Sequence, residues 1–550
     1  MASVHTDHAE NAYAYPLLVK QLWHAPLAIA GDQEIVYRDR QRFTYRELRV
    51  RVSRLANLLT TLGVEAGDTV AVMDWDSHRY LEAFYAVPMM QAVLMTANIR
   101  LSPEQLLYTL NHSGSKVLLL NSDFAGVLAE IAPRLESLRR VVWISDDDVG
   151  YGATPLVAGE YEAMLANAAP DYDFPDFDEN TRATTFYTTG TTGLPKGVFF
   201  SHRQLILHTL SAMAALASPA GGQRFHRGDV YMPITPMFHV HAWGLPYVAL
   251  QLGVKQVYPG RYIPSQLLRL IASEGVTFSH CVPTILQMML GDSSSSAVDL
   301  SRWKVVIGGS ALPAGLVTEA AQRGIDVFGG YGMSETCPLL AIAQLHPVLG
   351  DVEGERETHF RCKAGAAVPL VELRTVDAEM RDVEGEGEVV ARAPWLTQGY
   401  TRQPEASREL WRGGWLHTQD IGFKEDGYLK ITDRIKDVIK TGGEWVSSLA
   451  VEDLISRHES VAEVAVIGMP DEKWGERPLA LVVARDRANV EEAEIKRFVG
   501  TFADSGIISR YAVPSRVMVV ESIARTSVGK LDKKLLRQQY GTATLGAVAP

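Results

Sequence analysis

The chain has 550 residues, with 53 Lys and Arg against 65 Asp and Glu, a formal net charge of −12 at pH 7. Apolar residues make up 47% and charged residues 21%, which excludes disorder as the main state because enough apolar surface is present to offset chain entropy. The acidic balance leaves no basic excess for tracking a phosphate backbone, so a dedicated nucleic-acid binder is excluded too. Three cysteines, Cys281, Cys337 and Cys362, form no Cys-x-x-Cys pair, which argues against a disulfide framework or thiolate metal cage. No apolar run of about 18 residues is present for a membrane span. The opening MASVHTDHAENAYAYPLL is acidic and polar where a signal peptide needs a basic start and an apolar core. A reducing cytoplasm is the expected address, and the length predicts roughly three or four units.

Thr44 is placed to cap a helix whose stripe is Leu48, Val52, Leu55, Leu59 and Leu62, with Glu47 completing a capping box. Gly67-Asp68 is a turn, and residues 69–73 read as a strand. Ser102-Pro103-Glu104 opens another helix, and the apolar run 116–120 suits a buried parallel strand. This alternation predicts doubly wound α/β layers. The acidic stretch 168–180, AAPDYDFPDFDEN, reads as a surface loop or a seam between subdomains. A second α/β pattern runs from 180 to 340, with buried strands at 254–257, 305–307 and 326–328. Short alternating segments with glycines from 345 to 430, such as 385–390, predict a β-rich subdomain. The remainder reads as a compact unit with helices at 451–458 and 490–502 and strands at 464–468, 479–483 and 517–520. The expected architecture is therefore a large body, 1–433, of two doubly wound α/β subdomains plus a β-rich one. A small α+β body, 434–550, follows it.

The strongest chemical signal is TTFYTTGTTGLPKGV, residues 184–198. From Thr188 to Gly197 it holds four threonines, three glycines and one lysine. Glycines let backbone N–H groups approach a polyanion, hydroxyls donate further hydrogen bonds, and Lys196 adds charge. It is not a Walker A loop, because Pro195 precedes the lysine and Gly197 follows it.

TTGTTGLPKG resembles the phosphate loop of the adenylate-forming superfamily, which contains acyl-CoA synthetases, peptide-synthetase adenylation domains and luciferases. Five further segments resemble that family's motifs in order. Tyr331-Gly332-Met333-Ser334-Glu335-Thr336 is similar to the adenine and magnesium motif, and Gly414-Trp415-Leu416-His417-Thr418-Gln419-Asp420 to the ribose motif. Asp433-Arg434-Ile435-Lys436-Asp437 resembles the hinge, and Thr441-Gly442-Gly443-Glu444-Trp445 the thiol-tunnel turn. Arg525-Thr526-Ser527-Val528-Gly529-Lys530 resembles the carboxy-terminal lysine loop.

The resemblance implies that a carboxylic acid is joined to AMP with loss of pyrophosphate, then passed to coenzyme A. Thr188, Thr189, Gly190, Thr191, Thr192 and Lys196 would hold the ATP phosphates, and Glu335 with the Thr188 hydroxyl would bind Mg²⁺. Tyr331 would stack on adenine between Gly330 and Gly332, near Ser334, Gly309 and Ser310. Asp420 would accept the ribose hydroxyls and Arg434 would donate to ribose or phosphate. Lys530 would stabilise the first transition state. Rotation about Lys436 would then withdraw it and bring up Gly442, Gly443, Glu444 and Trp445 for the thiol. The sequence departs from the family pattern at Gly329, often Gln, at Gln419, usually Gly, and at Ala524, commonly Pro.

The segment Pro236-Met237-Phe238-His239-Val240-His241-Ala242-Trp243-Gly244 most resembles the acyl pocket of medium- and long-chain fatty-acyl-CoA synthetases. There His239 would sit by the carboxylate and Trp243 would gate the channel, with Val240, Gly309, Gly332 and Met333 completing the wall. A homodimer without nucleic acid, touching a membrane at most peripherally, is the expected assembly. Alternatives are an aryl- or short-chain acyl-CoA ligase, a nucleotide-binding regulator that kept the fold, and an oxidase of luciferase type.

Overall fold

The computed structural model describes residues 9–147, 149–150, 155–188, 194–441, 444–485, 490–526 and 530–540. Thr44 caps the helix Tyr45–Thr61 by accepting the Glu47 N–H, while the Glu47 carboxylate takes the Thr44 N–H at 2.7 Å. Leu48, Val52, Leu55 and Leu59 along it are fully buried. The same reciprocal device starts Pro103–Ser113 with Ser102 and Gln105, and His202–Ala217 with Ser201 and Gln204.

Seven strands form one sheet in the order Val157–Glu160, Arg140–Ile144, Ser115–Asn121, Thr69–Met73, Val93–Thr96, Arg182–Thr188 and Lys196–Ser201. All pairs are parallel except the last. A nine-stranded sheet has the core order Asp326–Gly332, Lys304–Ile307, Phe278–Cys281, Val230–Pro233, Lys255–Tyr258 and Glu34–Tyr37, all parallel, with antiparallel strands at both edges. The apolar runs read from the sequence are these buried parallel strands.

A four-stranded antiparallel sheet follows, Glu372–Val376, Gly387–Arg392, Leu416–Glu425 and Tyr428–Arg434. The chain leaves it at Arg434 and enters a separate sheet at Ile439. That sheet orders Glu444–Val446, Ile439–Thr441, Gly475–Ala484 and Val461–Asp471, with Arg516–Val519 parallel to Gly475–Ala484. The junction is tied by the buried Asp433 carboxylate, which accepts the Ser448 N–H at 2.6 Å and its hydroxyl at 2.7 Å.

Two readings change in detail. The helix expected at 451–458 is Ser448–Ser456, because the Ser447 hydroxyl accepts the Ala450 N–H and starts it earlier. The strand expected at 326–328 runs on to Gly332. The acidic stretch 168–180 is a strap. Asp176 holds Tyr13 at 2.6 Å and Lys20 at 2.8 Å, and Glu179 accepts from the Leu17 N–H and from Arg203. It fastens the start of the described chain to the helix His202–Ala217.

Candidate active site

Open parallel sheets place ligands beyond the carboxyl ends of their strands. Here strands from two sheets end at one crevice. Arg182–Thr188 delivers Thr188, Lys304–Ile307 is followed by Gly308 and Gly309, and Asp326–Gly332 carries Tyr331 to its end. His239 follows Val230–Pro233, and Val282 follows Phe278–Cys281. The four-stranded sheet adds Asp420 and Arg434, which are paired across adjacent strands.

The larger of two adjoining cavities measures about 130 Å³ and is lined by Thr188, Ser334, Arg434, Lys436 and Lys530, with His239 at its inner end. Asn98 lines it too. Asp420 is buried beside it. One of its oxygens accepts from the Tyr331 hydroxyl at 2.8 Å and the other from Arg434 Nε at 3.1 Å. Each carboxylate oxygen keeps a second lone pair for a ligand hydroxyl. Burial, and next the Arg434 charge, push the Lys530 ammonium down to about 8, with Asp420 and Glu335 opposing the shift. Burial and the Arg434 charge lower the pKa of Lys436 too.

The smaller cavity, about 30 Å³, lies between His239, Trp243, Val282, Gly309 and Lys530, with the polar Arg100, Thr235, Tyr262 and Thr284 around it. Burial lowers the His239 imidazole to about 3, reinforced by Lys530 and Arg100, so it is neutral at pH 7. Trp243 is wedged between the His280 ring, 5.0 Å away between centroids, and Gly308, where a Cβ would lie 2.8 Å from Trp243 Cη2.

Other expected residues lie outside these cavities. Val240 is fully buried in the core, Ser310 is exposed, and neither they nor Met333 line a cavity. Gly330 and Gly332 are required by close approach. A Cβ on Gly330 would lie 3.0 Å from Val306 Cγ1, and one on Gly332 would lie 1.8 Å from the Pro338 carbonyl oxygen. Glu444 accepts from Ser509 at 2.8 Å and Trp445 is 60% exposed, away from both cavities. Thr189, Gly190, Thr191, Thr192, Gly442 and Gly443 lie outside the described residues.

Comparison with known proteins decides the family. Residues 25–401 match the AMP-binding enzyme family and residues 450–530 the AMP-binding enzyme C-terminal domain. The chain belongs to the AMP-binding enzyme family. It is 39% identical over 526 residues to a long-chain-fatty-acid–CoA ligase of Thermus thermophilus, covering 93% of this chain and 94% of that one. It is 35% identical to a 3-methylmercaptopropionyl-CoA ligase of Ruegeria pomeroyi, covering 90% and 91%. A medium-chain-fatty-acid–CoA ligase of Ectopseudomonas oleovorans is 34% identical, with 92% of each chain covered. Among solved structures, a Mycobacterium tuberculosis fatty acyl CoA synthetase matches with TM-score 0.70 and 29% identity, covering 96% and 99%. An anthranilate CoA ligase in complex with anthranoyl-AMP shares the fold, with TM-score 0.85 at 23% identity and coverage of 96% and 98%. The protein is an AMP-forming acyl-CoA synthetase.

Two of the departures from the family pattern, Gly329 and Ala524, have structural reasons in this synthetase, and the structure does not explain the third, Gln419. A Cβ at Gly329 would lie 2.4 Å from the Lys363 carbonyl oxygen, so no side chain fits there. Gln419 adopts φ +60°, the left-handed region that the family's glycine occupies without strain. The Ala524 carbonyl accepts the Asp532 N–H at 2.9 Å and Thr526 N–H donates to the Lys530 carbonyl at 2.7 Å, so the lysine loop is held by backbone bonds that need no proline.

One half-buried residue was missed by the sequence reading. Tyr400 touches both Lys196 and Glu335, and a lone tyrosine after a glycine carries no spacing signal of its own. Thermal melting checks the glycine arguments. Gly332→Ala should lower the melting temperature and remove stabilisation by ATP, whereas Gln419→Gly should hold or raise it, since relief of about 1 kcal/mol of left-handed strain offsets the added chain entropy.

Proposed function

We propose that this acyl-CoA synthetase activates medium- or long-chain fatty acids. It first forms an acyl-adenylate and pyrophosphate from ATP, then an acyl-CoA thioester and AMP. The observation that carries the reading is Lys530. It comes from the small sheet's side of the chain yet stands in the crevice between His239, Gly309, Asp420 and Arg434, where carboxylate and α-phosphate oxygens must meet.

A carboxylate is a poor electrophile, and its attack on the α-phosphate spreads negative charge over oxygens that Lys530 and Arg434 face. Pre-placed cations stabilise such charge without reorganising at the moment of reaction. Neutral His239 acts as a hydrogen-bonding wall for the acid and carries no charge of its own. Asp420 fixes the ribose hydroxyls, with its orientation set by Tyr331 and Arg434. Thr188 and Lys196 flank the polyphosphate.

Mg²⁺ suits the oxygen donors Glu335 and the Thr188 hydroxyl. Held by these two residues, it would neutralise charge on the leaving pyrophosphate.

The second half-reaction needs the space that Lys530 fills. We infer that 1–433 and 434–550 move as two bodies about Lys436, because the chain passes between their sheets through the short segment 435–438. Rotation withdraws Lys530 and brings Gly442, Gly443, Glu444 and Trp445 inward for the pantetheine thiol of CoA, and the exposure of Trp445 supports this. Such rotation is a shift between two packed states. No helix among the described residues is long and apolar enough to cross a membrane. The proposed assembly is a cytoplasmic homodimer.

A second reading, a short-chain acid, is favoured by the small cavity and its polar rim of Arg100, Thr235, Tyr262 and Thr284. Pyrophosphate release over acids of increasing length, aryl acids included, separates the two. A fatty-acid enzyme gives its highest kcat/KM at medium or long chains. A maximum at the shortest acids transfers the assignment to the second reading.

Lys530→Ala should reduce adenylate formation by about 10²-fold or more yet spare thioester formation from supplied acyl-adenylate. Equal loss of both half-reactions would sink the role. A lysine is cationic below its pKa, so kcat/KM for adenylation should fall as pH rises through about 8, the free-enzyme value of Lys530. That falling limb should be absent from the residual rate of Lys530→Ala. Trp243→Ala should change acid kinetics and leave ATP affinity unaltered.

A further inference from the structure

Lys196 and Glu335 carry opposite charges at the polyphosphate end of the site, and in this structure they meet through a third residue. The Lys196 ammonium lies 4.6 Å from the centroid of the Tyr400 ring. The Tyr400 hydroxyl donates to Glu335 Oε1 at 2.7 Å. Burial, and then the Glu335 charge, push the phenol's pKa up, so it remains a donor.

The backbone holds this arrangement on both sides. Tyr400 forms an isolated bridge with Val198, and Thr401 N–H donates to the Gly197 carbonyl at 2.8 Å, which fixes the segment to the strand Lys196–Ser201. Thr397 N–H donates to the Glu335 carbonyl at 2.9 Å, which fixes the other end. The Tyr400 N–H donates to the Ser407 hydroxyl at 2.9 Å. The phenol is therefore held by main-chain contacts to each of the two elements whose charges it separates.

A lysine and a glutamate that pair with each other neutralise the charges their ligands need. Lys196 must offer its charge to an anion, and Glu335 must offer oxygen to a cation. An aromatic face attracts an ammonium ion without neutralising it. A phenolic donor satisfies one carboxylate oxygen and leaves the other for a ligand.

We propose that Tyr400 is a positioning residue of the nucleotide site. Its ring holds Lys196 for the ATP phosphates and its hydroxyl holds Glu335 for the divalent ion, keeping the pair from collapsing onto each other. The proposal rests on the assignment of Lys196 and Glu335 made above.

The two halves of the side chain make the test separable. Tyr400→Phe keeps the ring and removes the hydroxyl, and Tyr400→Leu removes both. ATP-induced shifts in melting temperature are measured with and without MgCl₂, beside acid-dependent pyrophosphate release at varied ATP and Mg²⁺. The Phe variant should raise the Mg²⁺ concentration for half-maximal rate by about threefold or more and keep the ATP KM. Its ATP-induced shift without Mg²⁺ should match the wild type. The Leu variant should also raise the ATP KM by about tenfold and shrink that shift.

If both variants keep the wild-type Mg²⁺ and ATP dependences, or lose kcat equally with both dependences unchanged, the role is overturned. Lys196→Ala and Glu335→Gln isolate the underlying assignment. If those leave the ATP KM and Mg²⁺ requirement untouched, the assignment fails and the proposal falls with it. If they respond while the Tyr400 variants do not, only the positioning role falls.

Discussion

Six cations, Arg434, Lys436, Lys530, Lys533, Lys534 and Arg537, line one cavity of about 130 Å³ with only Asp437 and Asp532 among them, and this crowding of positive charge is the constraint around which the rest of the site is arranged. Burial is the larger cause of the depressed pKa values of Lys436 and Lys530, and the Arg434 charge adds to it. Asp420 and Glu335 offset part of it. In the proposed two-step reaction a triphosphate and a carboxylate would offset the remainder and hold Lys530 in place. Loss of pyrophosphate would then weaken that hold and favour the proposed rotation. A protein of net charge −12 manages this because local fields come from a few placed charges and dipoles rather than from overall balance.

The acyl side is held by a different means. Val240, His241, Ala242 and Trp243 all have φ between +48° and +58°, a left-handed turn of non-glycine residues. Such a conformation costs roughly 1–2 kcal/mol per residue and persists where surroundings over-determine it. His241 Nε2 is hydrogen-bonded to Thr184 Oγ1 at 2.7 Å and packs edge-on against Phe84 and Phe186. Gly244 at the turn's end admits the His208 ring, where a Cβ would lie 2.9 Å from Cε1. His208, His241 and His280 are all lowered to about 3 by burial, so they serve as neutral polar packing. The outcome is a fixed Trp243 at the wall of the smaller cavity, held by the core behind it. Thr184 belongs to the strand that ends at Thr188, which links this turn physically to the larger cavity.

Much of this was legible in the sequence for identifiable reasons. Capping boxes and buried parallel strands are local patterns, so the helix at Thr44 and some strands of both large sheets, at 69–73, 116–120, 254–257, 305–307 and 326–328, could be read from the sequence. The segment 188–197 stood out because it gathers glycine, threonine and lysine within ten residues, although most of it lies outside the described residues. The departures were visible as letters but not as causes. Gly329 is explained by the Lys363 carbonyl, 34 residues along the chain, whereas Gln419 takes a left-handed backbone angle that would favour glycine and that no letter displays.

The sequence by itself determined the family chemistry, the layered α/β architecture and the acids and bases available, because these depend on residue type and short-range spacing. Only the tertiary structure decided which of them meet. It put Lys530 beside Gly309, turned Tyr331 toward Asp420, sent Val240 into the core, and set Tyr400 between Lys196 and Glu335. Each of these joins residues tens to hundreds of positions apart, through packing of sheets whose strand order differs from chain order. The physical reason is that distance, burial and local field are properties of that packing.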